Sequence, residues 1–388
     1  MLNSCHDAPS IDRMTTSAQP STRPTILIIE DEVGPRDALK VVLGSFCTIH
    51  CAENARTALE LLRQQSIDLI TLDQKLPDRP GLQLLQEIKL DYPDIEVVIV
   101  TGYGSLKSAM EGIRHGAAGY LLKPFNTHEL TTLIQQTIEK KRRLDFLRRY
   151  LRNSPELWGS PEQDTHAWQT LQADYFSLSP NHEPVAAISS QDEMRLLPMF
   201  SDILEATDRQ LLNHSSRVSF YATLMAARLN LSLADQKALA LGAFLHDIGK
   251  TSLPHYRFSD DQVLPSREPV LCREHPGNGA RMIESLGLPA EVGQIIAAHH
   301  ERWDGQGYPL GLQGAEIPRL ARIVGMAQLF DHLTADAPGR SPLSMEQAIQ
   351  RIADPSLMQF DPQLLELFID VVKESTASIP TMTAVPAA

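Results

Sequence analysis

The sequence predicts a parallel α/β sheet domain followed by an all-α domain, and three observations carry that expectation. Between residues 25 and 125, short apolar β-type runs (TILIIE, TIHCA, LITLD, EVVIVT, GYLLKP) alternate with amphipathic helical stretches, the pattern of a parallel sheet with helical crossovers. From about residue 193 only helical patterns follow, among them SSRVSFYATLMAARL and LADQKALALGAFLHD. The 388 residues are enough for two domains that each bury their own core.

Composition narrows the function classes. Hydrophobic residues make up 43% and charged residues 21%, the balance of a soluble globular protein, and no apolar run approaches the length of a membrane span. A formal net charge of -13 argues against broad DNA binding, and no specific DNA binding is expected. Cys5, Cys47, Cys51 and Cys272 lack metal-type spacing and read as reduced thiols. The N-terminus has neither the basic start nor the apolar middle of a signal peptide, so a cytoplasmic location is expected.

The expected organisation is a disordered leader over 1–23, a first domain over 24–143, a helical connector and polar linker over 144–192, a second domain over 193–375 and a disordered tail over 376–388. Within the connector, Leu130, Leu133, Leu144, Leu147 and Leu151 recur at near-heptad spacing behind a capping signal at Asn126 or Thr127, which predicts a long helix suited to signalling or to a homodimer. Its basic residues Lys140, Lys141, Arg142, Arg143, Arg148 and Arg149 read as a solvated face. HAWQTLQADYF, in the linker, predicts one short helix.

Strand ends carry the chemistry of the first domain. TILIIE runs into Glu30 and Asp31, and LITLD ends in Asp73; at the carboxyl edge of a parallel sheet these three would repel one another unless a divalent cation joined them, and hard oxygen ligands favour Mg²⁺. Thr101 and Lys123, at two further strand ends, can hydrogen-bond to and pair with a phosphoryl group. Glu30-Asp31, DQKLPDRPG from Asp73, VTGYGS around Thr101 and GYLLKPF together closely resemble the response-regulator receiver family over roughly residues 24 to 143. The resemblance implies a five-stranded flavodoxin-like fold, Asp73 as phosphoacceptor, Mg²⁺ on Glu30, Asp31 and Asp73, phosphoryl contacts from Thr101 and Lys123, and Tyr120 as the switch aromatic. It also implies a sensor histidine kinase as partner.

In the second domain His214, His246, Asp247, His275, His299 and His300 recur on helical segments. Adjacent residues on a helix point about 100° apart, so the pairs His246-Asp247 and His299-His300 are expected to serve two metals rather than one, with Asp247 bridging. Two metals sharing an activated water suit phosphate-ester hydrolysis. Lys250, one turn on, is the expected phosphate contact; Arg217, three residues past His214, is a second candidate, with a helix-surface ion pair an almost equal alternative. In HHERWDGQGYP, Gly305 and Gly307 let the loop fold back beside the metals, where Tyr308 and Pro309 would form a wall.

HDIGK, HP with a following glycine, HHERWDG and GYP in this order resemble the HD-GYP family, the cyclic di-GMP phosphodiesterases among the HD-type metal-dependent phosphohydrolases, across roughly 195 to 375. That resemblance implies hydrolysis of cyclic di-GMP to linear pGpG or GMP on iron or manganese. It implies His214, His246, Asp247, His275, His299 and His300 as ligands, Lys250 as phosphate contact, and Gly307, Tyr308 and Pro309 as the signature loop. The sequence departs from the pattern at Gln328, where the family has an aspartate. A weaker hold on the ion shared with His214 and His246 is the expected consequence, and a non-catalytic, phosphorylation-gated binding module the alternative.

Overall fold

The computed structural model describes residues 23–102, 104–154, 157, 161–178, 193–253, 270–336, 341–354 and 358–377; the expected leader and tail lie outside this set apart from Arg23, Thr376 and Ala377. The chain divides into two compact units, residues 1–141 and 142–388. No described helix is long and apolar enough to cross a membrane.

In the first unit five parallel strands, β1 (Thr25–Ile29), β2 (Thr48–Ala52), β3 (Leu69–Leu72), β4 (Glu96–Thr101) and β5 (Gly119–Leu122), lie in the order β2-β1-β3-β4-β5. Crossovers run through α1 (Val33–Leu43), α2 (Ala55–Gln64), α3 (Gly81–Asp91) and α4 (Leu106–Arg114). Strand side chains alternate between two cores. Ile26, Ile28 and Val98 join Leu39, Leu43, Leu130 and Ile134 on one face, while Leu27, Ile29 and Ile99 join Leu59, Leu84 and Ile88 on the other. A sheet buried on both faces needs unbroken apolar runs, which is why its strands show no polar alternation. The order reverses direction between β1 and β3, and the pairing of Ile29 with Leu72 brings Glu30 beside Asp73 at the carboxyl edge.

α5 runs from Thr127 to Asn153 and carries the chain from the first unit into the second. Its leucines are buried within the chain: Leu130 in a core of the sheet unit, Leu144 and Leu147 in that of the helical unit. Nor is its basic face uniformly solvated. Lys141 is buried and donates to the Asp94 carbonyl at 3.0 Å, and Arg143 Nε donates to Asp202 Oδ2 at 2.8 Å, beside the Tyr175 hydroxyl, which donates to the same oxygen at 2.7 Å. Burial and the neighbouring Asp202 push the Tyr175 phenol well above its ordinary value.

The expected linker over 144–192 also differs from the structure. Residues Pro161–Ser177 form α6, a longer helix than HAWQTLQADYF suggested, and its Trp168, Leu171, Tyr175 and Phe176 enter the main apolar core of the second unit. The polar flanks hide this because only one stripe of α6 faces inward. The helices that follow are α7 (Glu193–Thr207), α8 (Arg209–Arg228), α9 (Leu233–Leu245), α10 (His275–Ser285), α11 (Ala290–Ala298), α12 (Arg319–Thr334), α13 (Met345–Ile352) and α14 (Pro362–Ala377). Asp208 and Ser232 cap α8 and α9 by accepting from the Gln210 and Asp235 backbone amides. α8 packs on α9 and α12, and α11 on α9, α10 and α12, so these five helices enclose one centre.

Candidate metal centres

At the sheet edge, Lys123 Nζ donates to Glu30 Oε2 and, at 2.9 Å, to Asp73 Oδ2, while the Thr101 hydroxyl donates to Asp73 Oδ1 at 2.8 Å. Burial opposes ionisation of Asp73, but these hydrogen bonds outweigh it and hold the carboxyl below its ordinary range; the same two carboxylates raise Lys123 against the effect of burial. Glu30, Asp31 and Asp73 offer oxygens within 4.8 Å of one another, and Glu30 Oε1 is buried without a hydrogen-bond partner. An all-oxygen set with an orphaned carboxylate oxygen fits a hard divalent cation. Tyr120, half-buried on β5, places its hydroxyl 3.3 Å from Ser108 Oγ on α4.

In the helical unit the sequence-expected ligands all converge. His214 lies in α8, His246 and Asp247 follow the end of α9, His275 opens α10, and His299 and His300 follow α11. The turn after Asp247 meets α10 closely: a Cβ on Gly249 would lie 2.0 Å from the His275 carbonyl oxygen, so only glycine permits that approach. The ligand atoms form two groups, His214 with His246 and Asp247, and Asp247 with His275, His299 and His300. The expectation that adjacent ligands must serve different ions is therefore corrected. His246-Asp247 both join one group and His299-His300 both join the other, each pair lying at the C-terminal end of its helix.

Hydrogen bonding fixes the tautomers. The Nδ1 atoms of His246, His275 and His299 face the carbonyls of Ala243, Cys272 and Ile296, and that of His214 faces the Asp331 carboxylate, so each Nδ1 must donate. In the neutral rings every Nε2 is then a bare lone pair. His214 Nε2 lies 3.2 Å from His246 Nε2, and His275 Nε2 lies 3.2 Å from His299 Nε2. Asp247 stands between the pairs: Oδ2 is 3.4 Å from His246 Nε2 and 3.7 Å from His214 Nε2, and Oδ1 is 3.2 Å from His275 Nε2 and 3.7 Å from His299 Nε2.

Lone pairs facing one another beside an anion call for a cation. Burial, with the neighbouring imidazoles, drives His299 down to about 3 and His300 well below its ordinary value. Asp247 stays ionised; burial opposes this, but Lys250 and His246 outweigh it and hold the carboxyl well below the carboxylate range. Its Oδ1 is buried without a hydrogen-bond partner. Imidazole nitrogen around one carboxylate is a donor set that fits two divalent transition metals.

Lys250 Nζ, buried, donates to Asp247 Oδ2 at 2.7 Å. The signature loop closes on the second ligand group: the Tyr308 ring stacks on His300 with centroids 4.5 Å apart at 18°. A Cβ on Gly307 would come within 2.5 Å of Glu301 Cα, so the loop can lie this close only without a side chain there. Pro309 follows Tyr308 through a cis peptide bond. Arg217 is drawn to Asp331 and forks onto its carboxylate. The Gln328 amide donates to the His299 carbonyl at 3.3 Å and lies 3.4 Å from His300 Nδ1, which corrects its expected place beside the His214 group.

Three residues escaped the sequence reading. Glu301 accepts from the Leu310 and Leu312 amides at 2.7 and 2.9 Å and ties down the loop; its place within HHERWDG was the available signal. The His332 ring stacks on His214 at 4.5 Å and 5°, and the Arg273 guanidinium lies 5.4 Å from the Tyr308 centroid. Neither contact has a signal in local sequence.

Residues 26–135 match the family model of the response regulator receiver domain, and residues 198–364 that of the HD domain. A cyclic di-GMP phosphodiesterase of Thermotoga maritima is 27% identical over 356 residues, 91% of each chain. The cyclic di-GMP phosphodiesterase response regulator RpfG of Xanthomonas campestris pv. campestris is 24% identical, covering 89% of this chain and 86% of that one. A 3'3'-cGAMP-specific phosphodiesterase of Vibrio cholerae is 30% identical over 168 residues, 43% of this chain and 36% of that protein.

Proposed function

We propose that this chain, which joins a response regulator receiver domain to an HD domain, hydrolyses cyclic di-GMP under control of phosphorylation at Asp73. The carrying observation is the double ligand group around Asp247, with bare imidazole nitrogens on both sides of one ionised carboxylate. Iron or manganese would be held by His214, His246, Asp247, His275, His299 and His300, and two such ions supply a water of lowered pKa and a clamp on the phosphodiester. Lys250 holds its ammonium against Asp247, from where it would donate to a phosphoryl oxygen as charge grows there. The Tyr308 ring, backed by His300 and faced by Arg273, forms an aromatic and cationic wall for a purine base.

At the receiver, Mg²⁺ on Glu30, Asp31 and Asp73 would offset the charge of an incoming phosphoryl group, with Thr101 and Lys123 placed to contact it. A sensor histidine kinase is the proposed donor. The relatives named for cyclic di-GMP align along most of the chain and favour that substrate; the 3'3'-cGAMP-specific relative supports a second reading for the HD domain alone.

Purified protein reloaded with Fe²⁺ or Mn²⁺ should release pGpG or GMP from cyclic di-GMP, faster or slower after treatment with a small phosphodonor. Turnover of 3'3'-cGAMP alone would select the second reading. No turnover of either dinucleotide with either metal would remove the hydrolase.

A further inference from the structure

Asp331 belongs to neither ligand group, yet its carboxylate is buried at the edge of one. Oδ2 accepts from His214 Nδ1 at 2.7 Å and from Arg217 Nη2 at 2.9 Å, and Oδ1 accepts from Arg217 Nε. On the opposite edge of the same imidazole, Nε2 faces His246 and Asp247. His332, next along α12, covers a face of the ring in parallel. α12 thus reaches the two groups differently. Gln328 offers an uncharged amide to the His299–His300 side, while Asp331, one turn later, offers full negative charge behind His214.

Resting on the metal-centre reading above, we propose that Asp331 is a positioning residue for the ion of the His214 group: it fixes His214 as the Nδ1–H tautomer, aims the bare Nε2 toward Asp247, and strengthens that nitrogen as a donor. Without an anionic acceptor at Nδ1, the ring can turn or carry its proton on Nε2, where it would meet the cation. Arg217 keeps the carboxylate aligned through its two-pronged contact. The centre therefore has anionic support in the His214 group that does not depend on a carboxylate at position 328.

The test is metal binding, read apart from turnover. Full-length wild type, Asp331→Asn, Asp331→Glu and Arg217→Gln are stripped, titrated with Mn²⁺ by calorimetry, and counted for bound ions by mass spectrometry; circular dichroism of the metal-free forms checks folding. Wild type should bind two ions in the HD unit, with Asp73→Asn in every background to remove the receiver phosphoacceptor from the count. Asp331→Asn, which keeps an acceptor but loses the charge, should retain one ion and bind the other about 10- to 100-fold more weakly. Asp331→Glu should recover part of that loss. Folded Asp331→Asn with both wild-type affinities overturns the proposal. Should Asp331→Asn not fold, Arg217→Gln decides, because that side chain is 43% exposed and leaves Asp331 in place: a weakened single ion supports the proposal, and two unchanged affinities overturn it. A wild type that binds no Mn²⁺ in the HD unit takes down the metal-centre reading itself.

Discussion

At the edge of the receiver sheet, three carboxylates gather where Asp31 is open to water and Lys123 already donates to Glu30 and Asp73. In the HD unit one carboxylate, Asp247, is shared by both ligand groups and wholly buried, and its neighbours are imidazoles and one lysine. Both places collect donors for a cation, but their surroundings differ. Water and an ammonium screen several anions at a half-open edge, whereas a dry interior makes each unpaired charge costly. The buried centre therefore draws its electrons from neutral nitrogen. An open, charge-rich edge suits a group that gains and loses a phosphoryl, and an enclosed nitrogen-rich centre suits ions that stay.

The contrast can be broken first at the shared carboxylate. Asp247→Ala should strip the HD ions and lower hydrolysis about 1000-fold or more, while Asp73→Asn should abolish labelling by a phosphodonor and leave the HD metal count unchanged. Metal analysis beside turnover checks both, and an Asp247→Ala protein that keeps two HD ions would break the contrast outright.

Enclosure itself is tested at α6. Trp168 is fully buried, so Trp168→Ala should cost about 3–5 kcal/mol of unfolding free energy in denaturant titration. A segment that were only linker would show almost none.

Acid should separate the two regions next. Unfolded His299 takes up a proton from about pH 6.5, but the native ring resists until about 3, so the metal-free HD unit should lose stability steadily as pH falls through that window. Asp73 shifts stability in the same direction, but at lower pH. Its carboxyl is held below the ordinary range, so its stabilisation is present at neutral pH and disappears only in more acidic solution. Denaturant midpoints followed from about pH 7 to about pH 4 in separate probes of each unit check this, and a flat HD profile would contradict it.

Smaller effects sharpen the picture. Gly307→Ala should push the loop off Glu301 at about 1–3 kcal/mol, read as a raised KM with the metal count intact. Gln328→Asp should tighten Mn²⁺ binding several-fold; the gain is expected at the His299–His300 side, which the present amide touches.

Much of this was legible in the chain. Apolar runs buried on both faces require a parallel sheet, and strand ends in such a sheet must collect at one edge, so Glu30, Asp73, Thr101 and Lys123 could be grouped by sequence position alone. The six candidate HD ligands were readable for a related reason: five histidines and Asp247 recurring on helical segments are chemically conspicuous wherever the helices go. Gln328 was readable as a departure, but its neighbours were not.

What only the tertiary structure decided is which candidate donors come together in one group. His246-Asp247 fall together in one group and His299-His300 in the other, and carbonyls at Ala243, Cys272 and Ile296 choose the tautomers. Asp331 reaches His214 across 117 residues of chain with His332 beside it, and Trp168 enters a core that its polar neighbours conceal. Sequence determines the kinds of groups available and their local periodicity, because these depend on bonds and near neighbours. Direction, burial and pairing depend on packing between distant segments, and they become definite only once the helices close around the centre.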